Sequence, residues 1–160
     1  MDDSRYAILE GTPSPERYYN LRKLANLTPP PLEAVPDALA NSFASWVVFE
    51  RKDMSDDTSP DLHQEPIGMA RLVGDGALFL LVVDVAVHPD HQGRGIGKRL
   101  METVISCIDE RAPLAYVSLV ADPPGQKLYP KFGFESVTKR GLEGMFRCPR
   151  IQEGRDNAKP

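Results

Sequence analysis

Gln92-Gly-Arg-Gly-Ile-Gly97 is where residue types and spacing first spell out a chemistry. An apolar run from Leu78 to Val87 stops at His88-Pro89. Gly93, Gly95 and Gly97 then fall on alternate positions at what reads as a helix start. Glycine lets the backbone approach a ligand without a Cβ in the way, and the first N–H groups of a helix have no helical partner. A phosphate there gains those donors and the positive end of the helix dipole, the dipole alone contributing about 0.3–1 kcal/mol. Spacing excludes two common phosphate loops. A P-loop needs G-x-x-x-x-G-K-[ST], but Gln92 stands at its first glycine and Arg99 follows Lys98. The dinucleotide fingerprint G-x-G-x-x-G does not fit glycines spaced two and two.

The form that fits is Q-x-x-G-x-G, met by Gln92, Gly95 and Gly97. It resembles the acetyl-CoA pyrophosphate loop of the GCN5-related N-acetyltransferases, the GNAT family. Upstream, Asp84-Val-Ala-Val87 leads into the loop as that family's central strand does. Downstream, Ile96, Leu100, Val104 and Ile108 recur at four-residue steps with Met101 and Ile105 beside them, one apolar helix face running to about Glu110. Later, Gln126-Lys-Leu-Tyr-Pro-Lys-Phe-Gly-Phe134 looks like the family's Tyr-x-x-x-Gly-Phe signature. The resemblance covers roughly residues 43–148.

It implies a GNAT fold: a mixed α/β sheet of six or seven strands with splayed central parallel strands, flanked by about four helices. Acetyl-CoA would be co-substrate, with no metal. The backbone of Val85, Ala86 and Val87 would pair with its pantetheine arm, and Gln92, Gly93, Arg94, Gly95, Ile96 and Gly97 would hold its pyrophosphate. Lys98 could reach a phosphate or lie on the solvated helix face. Asp122 falls where the family commonly has an asparagine contacting the coenzyme, in Asp122-Pro-Pro-Gly125 rather than Asn-x-x-Ala; it could instead cap a helix. Tyr129 stands where the family places a tyrosine hydroxyl beside the coenzyme sulfur.

Acetyl transfer to an amine sets definite demands. At pH 7, freeing the lone pair of an alkylamine costs about 4.6 kcal/mol, and the departing thiolate needs a proton or a hydrogen bond. A phenol near 10 is a weaker acid than a thiol near 8.5, so Tyr129 would hydrogen-bond to the sulfur as the C–S bond breaks. The base is less obvious. Related enzymes carry Glu or His at the positions of Leu81 and Val83, both apolar here. Asp84 is the ionisable group on that strand, but its parity opposes Val83 and Val85 unless a β-bulge intervenes. It could serve the substrate, relay a proton through water, or pin a loop. His88 and His91 lie three apart with no third ligand nearby, which favours turn capping over metal binding.

The elements that must position these residues follow from pattern. Tyr6 to Leu9 reads as a strand. Ser14-Pro15-Glu16 is a helix start leading into Tyr19–Leu27. Four prolines between Thr28 and Pro36 break the chain before a short helix from Val35 to Ala40. Phe43–Phe49, Ile67–Val73, Leu78–Val87 and Leu114–Val120 read as strands, the last an interior one because nearly every position is apolar. Phe134–Val137 and Gly144–Cys148 would close the sheet. The segment 51–65 reads as a mobile hairpin loop and 151–160 as a fraying tail, leaving one domain over 1–150. Tyr18, Tyr19, Phe43 and Trp46 supply aromatic surface, and Tyr19, Phe43 and Trp46 are carried forward as candidate acceptor-site residues.

Composition sets outer bounds. The 160 residues carry a net charge of −4, which gives no basic footprint for nucleic acid or an anionic membrane. No apolar run approaches membrane-spanning length. Cys107 and Cys148 lack metal spacing and read as free buried thiols of an intracellular, cytoplasmic protein. The leading expectation is acetyl-CoA-dependent N-acetylation of a small primary amine, an arylalkylamine or a polyamine among them. A protein or peptide acceptor, or a non-catalytic acyl-CoA-binding domain, stands as the alternative. A homodimer is common in such families.

Overall fold

A computed structural model describes residues 5–54 and 64–148. Most of the expected loop and all of the expected tail therefore lie outside the described residues. Strand β1 (Tyr6–Glu10) leads to helix α1 (Pro15–Leu24), helix α2 (Val35–Ala40) and strand β2 (Ala44–Glu50). Strands β3 (Gly68–Gly74) and β4 (Phe79–Val87), helix α3 (Ile96–Arg111), strand β5 (Tyr116–Leu119) and the single turn α4 (Gly125–Leu128) follow. The five strands form one sheet in sequence order, antiparallel except for the parallel β4–β5 pair.

Local chemistry explains the helix ends. The Ser14 side chain accepts from Arg17 N at 3.3 Å, Pro15 opens α1, and Arg22 and Lys23 sit at its negative end. On α3, Ile96, Leu100, Met101, Val104, Cys107 and Ile108 are buried. They pack on Leu72, Leu80 and Val82 across one sheet face, and α1 and α2 cover the other through Tyr18, Leu21, Val35 and Leu39. Burying side chains of this size contributes about 1.5–3 kcal/mol each.

One irregularity matters for the site. Met69 pairs with Ala86 and Arg71 with Val83, so Asp84 and Val85 together oppose Ala70. Asp84 takes φ 57°, and the bulge reverses the facing of the strand beyond it. Leu80 and Val82 join the α3 cluster, whereas Ala86 joins the α1–α2 cluster. Asp84 turns with Ala86. The β-bulge that the sequence left open at Asp84 is present.

Two expectations are corrected. The sheet has five strands among the described residues, not six or seven, because 134–137 and 144–148 do not pair. Ser136 instead caps a 3₁₀ turn at Val137–Arg140, closed by Gly141 at φ 72°. These local hydrogen bonds compete with a strand ladder. In consequence β5 is an edge strand rather than an interior one, and Tyr116 is 58% exposed. Cys107 is a buried free thiol as expected, whereas Cys148 is half-buried.

Candidate active site

β4 and β5 pair only from Phe79–Val82 against Tyr116–Leu119. Past that point β4 continues to Val87 without β5, which among the described residues leaves one edge of its backbone without a ladder partner. The glycine loop follows directly. Gly93 and Gly95 have φ 71° and 79°, the left-handed region that glycine favours, and no side chain caps the start of α3. Gln92 Nε2 donates to Val87 O at 3.0 Å, tying the loop to the strand it leaves. A cavity of about 310 Å³ runs along Val85–Val87, Gln92, Gly93, Gly95–Gly97, Asp122 and Tyr129. A free strand edge for amides, joined to a cradle of N–H groups for a diphosphate, fits coenzyme A.

A second cavity, of about 430 Å³, lies on the α1–α2 side. Its walls include Leu27, Val35, Val73, Leu81 and Val83. Asp84, Arg71, Arg22 and Tyr18 border it as one network. Tyr18 Oη donates to Asp84 Oδ2 at 2.9 Å, Arg71 Nε donates to the same oxygen at 2.7 Å, and Arg22 Nη1 donates to Oδ1. Arg71 Nη1 also donates to Ala38 O at 2.6 Å and Ser42 Oγ at 2.8 Å. Both oxygens of Asp84 are thus engaged by donors on α1 and β3, and the network holds those elements against the bulge.

The two cavities share Leu27, Val85, Asp122 and Tyr129. Burial, followed by the nearby Asp122 carboxylate, pushes the Tyr129 phenol above its ordinary value of 10.0, so it keeps its proton at neutral pH. Asp122 Oδ1 accepts from Gly125 N at 2.9 Å, a capping bond across the turn before α4. Gly125 lies against both groups. A Cβ built there would stand 2.5 Å from Tyr129 Cε2 and 2.8 Å from Asp122 Oδ1. Glycine in the turn is therefore a packing requirement.

Other candidates fall elsewhere. Arg94 Nη2 donates to Asp90 O at 3.1 Å, and Lys98 pairs with Glu102 at 3.2 Å; neither borders the cradle cavity. Tyr19, Phe43 and Trp46 do not border the acceptor-side cavity. Trp46 is buried in the α3 cluster, and Phe43 carries the Arg111 guanidinium 5.2 Å over its ring. Tyr18, one residue from Tyr19, is the aromatic brought to the site. Sequence reasoning did not single out Arg22 and Arg71; the one available signal was that a buried carboxylate at Asp84 needs cationic partners. His88 Nδ1 accepts from Asp90 N at 3.2 Å as a turn cap. His91, by contrast, borders the cradle cavity; its Nδ1 lies 3.2 Å from Tyr6 Oη, and burial holds its pKa below the ordinary 6.5.

Splayed parallel strands, a glycine cradle at a helix start and a tyrosine at the junction of two cavities define a class of acyl-carrier-dependent transferases. Comparison with known proteins gives the family. The acetyltransferase (GNAT) domain family matches residues 44–136. The chain belongs to the GNAT acetyltransferase family. It is 32% identical over 120 residues to the uncharacterized N-acetyltransferase ycf52 of Pyropia yezoensis, spanning 75% of this chain and 63% of that protein. It is 34% identical over 121 residues to the histone acetyltransferase TAP1 of Glycine max, spanning 74% and 50%. The chain thus spans about half to two thirds of the length of these curated relatives. A solved structure of a protein of unknown function from meticillin-resistant Staphylococcus aureus superposes with TM-score 0.75 at 32% identity, over 89% of this chain and 98% of that one.

Proposed function

We propose that the protein is an acetyl-CoA-dependent N-acetyltransferase acting on a small primary amine. The observation that carries this reading is that two cavities, one along the free strand edge and glycine loop and one of about 430 Å³ on the α1–α2 side, meet at Asp122 and Tyr129. Bound acetyl-CoA supplies an acetyl thioester: a C–N bond forms, the C–S bond breaks, and one proton passes from nitrogen to sulfur overall. The strand edge at Val85–Val87 holds the pantetheine, and the donors of Gly93–Gly97 hold the diphosphate. Tyr129, kept protonated by burial, donates to the sulfur as charge develops there. Asp122 draws in the acceptor's ammonium and passes its surplus proton to solvent, to which it is exposed. Asp84 organises the acceptor cavity, since its oxygens are already engaged by Tyr18, Arg22 and Arg71.

Although one relative is named as a histone acetyltransferase, a cavity of about 430 Å³ walled by α1, α2 and β4 supports a small acceptor over an extended peptide. A thiol-release screen over amines, amino acids, amino sugars, polyamines and peptides tests the reading. Steady release with at least one small amine is expected. Coenzyme binding with no release across the panel would overturn it in favour of a binding domain, and release with peptides alone would overturn the choice of acceptor.

A further inference from the structure

The charges around the acceptor cavity are arranged unevenly. Arg71 and Arg22 border this cavity and not the cradle cavity, whereas Asp122, like Tyr129, borders both. Asp84 is ion-paired to both guanidiniums, and Asp122 places a separate carboxylate at the junction with the cradle cavity. The Arg71 side chain is only 8% exposed. Its Nε is occupied by Asp84 and its Nη1 by Ala38 O and Ser42 Oγ; among the described residues Nη2 has no hydrogen-bond partner. The rest of the lining is largely aliphatic, with Val35, Val73, Leu81 and Val83 among it.

A cavity with an open guanidinium nitrogen on one wall, a carboxylate at its junction with the cradle and aliphatic walls elsewhere is complementary to a zwitterion. We propose that the acceptor is an amino acid with an apolar side chain. Its carboxylate is bound by Arg71 Nη2 beside Arg22, and its amine is turned toward Asp122 and the thioester. Resting on the N-acetyltransferase reading, this names the substrate class of the same site and needs no reactant beyond those of the transfer above. A buried guanidinium with an unused nitrogen is a strong carboxylate donor, because charge-assisted hydrogen bonds gain most where water is excluded. The same open donor disfavours a polyamine, whose distal ammonium would meet the Arg71 guanidinium rather than an acceptor. An amine with no carboxylate would leave Nη2 without a partner on binding.

The test compares leucine, leucine methyl ester, isopentylamine and 1,5-diaminopentane as acceptors, with thiol release and calorimetric acetyl-CoA binding as separate readouts. The expected result is a kcat/KM for leucine at least tenfold above each of the others. The ester is the sharpest control, because its less basic amine is intrinsically readier to react. Arg71→Lys keeps a cation against Asp84 but removes Nη2. It should raise the leucine KM about tenfold and leave acetyl-CoA affinity unchanged. Equal or faster turnover of the ester, the monoamine or the diamine would overturn the zwitterion while preserving the transferase. Failure to bind acetyl-CoA, with leucine still binding in a manner weakened by Arg71→Lys, would overturn the transferase and preserve the carboxylate site.

Discussion

At the junction of the two cavities Tyr129 would carry the proposed chemistry, and Gly125 leaves room for its ring. Tyr129 sits in an environment that raises its pKa, which fits it to donate a hydrogen bond and unfits it to act as a base. Tyr129→Phe should therefore cut turnover at least tenfold while acetyl-CoA affinity stays within twofold, as steady-state rates and calorimetry would show. An unchanged rate would remove the phenol from the mechanism. The direction of the shift also sets a pH dependence. A phenol raised above 10.0 loses its proton only at more alkaline pH, so any fall in rate traced to Tyr129 begins above pH 10. Gly125 makes a second prediction. An added methyl would meet the Tyr129 ring at 2.5 Å and Asp122 at 2.8 Å. Gly125→Ala should thus lower kcat by displacing the ring, with the acceptor KM rising as Asp122 moves. A kcat and KM both equal to those of the unaltered protein would show that the turn relaxes without consequence.

At the scale of elements, the bulge within β4 and the loop after it set the Asp84 network apart from the glycine cradle along one strand. Gly95 begins α3 at φ 79°, where a β-branched residue is strained by about 1–3 kcal/mol. Gly95→Val should weaken acetyl-CoA binding at least tenfold, measured by calorimetry; unaltered affinity would show that the loop does not cradle the diphosphate. Much of this level was legible in the sequence. The alternate glycines located the loop and the four-residue apolar step located α3, whereas the parity of Asp84 raised the question of a bulge without deciding it. What was not legible depends on partners distant in sequence. Tyr18 and Tyr19 are equally aromatic, but neighbours on a helix point about 100° apart. Only the packing of α1 on β4 decides that Tyr18 faces Asp84. The apolar run of Leu114–Val120 reads as interior whether or not another strand lies beside it. Closing strands were expected because 134–137 and 144–148 contain apolar residues, but the Ser136 cap and the left-handed Gly141 favour local turns.

Across the whole molecule, the site is held between a sheet and helices contributed from both ends of the chain. Glu50 at the end of β2 shows how such a junction responds to pH. Lys52 Nζ lies 2.9 Å from Oε2, and Arg5 donates to Oε1 through Nε and Nη2 at 3.0 and 2.7 Å. Lys52 first, and then Arg5, lower its pKa from 4.5 to about 2 against an opposing desolvation. A carboxylate with a depressed folded-state pKa stabilises fully above its unfolded value, and that contribution is lost as pH falls through the folded one. Glu50→Gln should accordingly lower Tm at pH 7 and flatten the loss of stability between about pH 4.5 and 2. Parallel Tm–pH curves for the two proteins would contradict the assignment. Ligand linkage belongs to the same scale: acetyl-CoA at a hundred times its Kd would add about 2.7 kcal/mol of stability. The central claim is that Gly93–Gly97 and the free edge of Val85–Val87 hold acetyl-CoA with its sulfur against Tyr129. A crystal structure of the protein soaked with coenzyme A tests it most directly. The expected density has the diphosphate on the main-chain N–H groups at the start of α3 and the thiol within hydrogen-bond reach of Tyr129 Oη. Density for the diphosphate elsewhere, or a thiol remote from Tyr129, would contradict it.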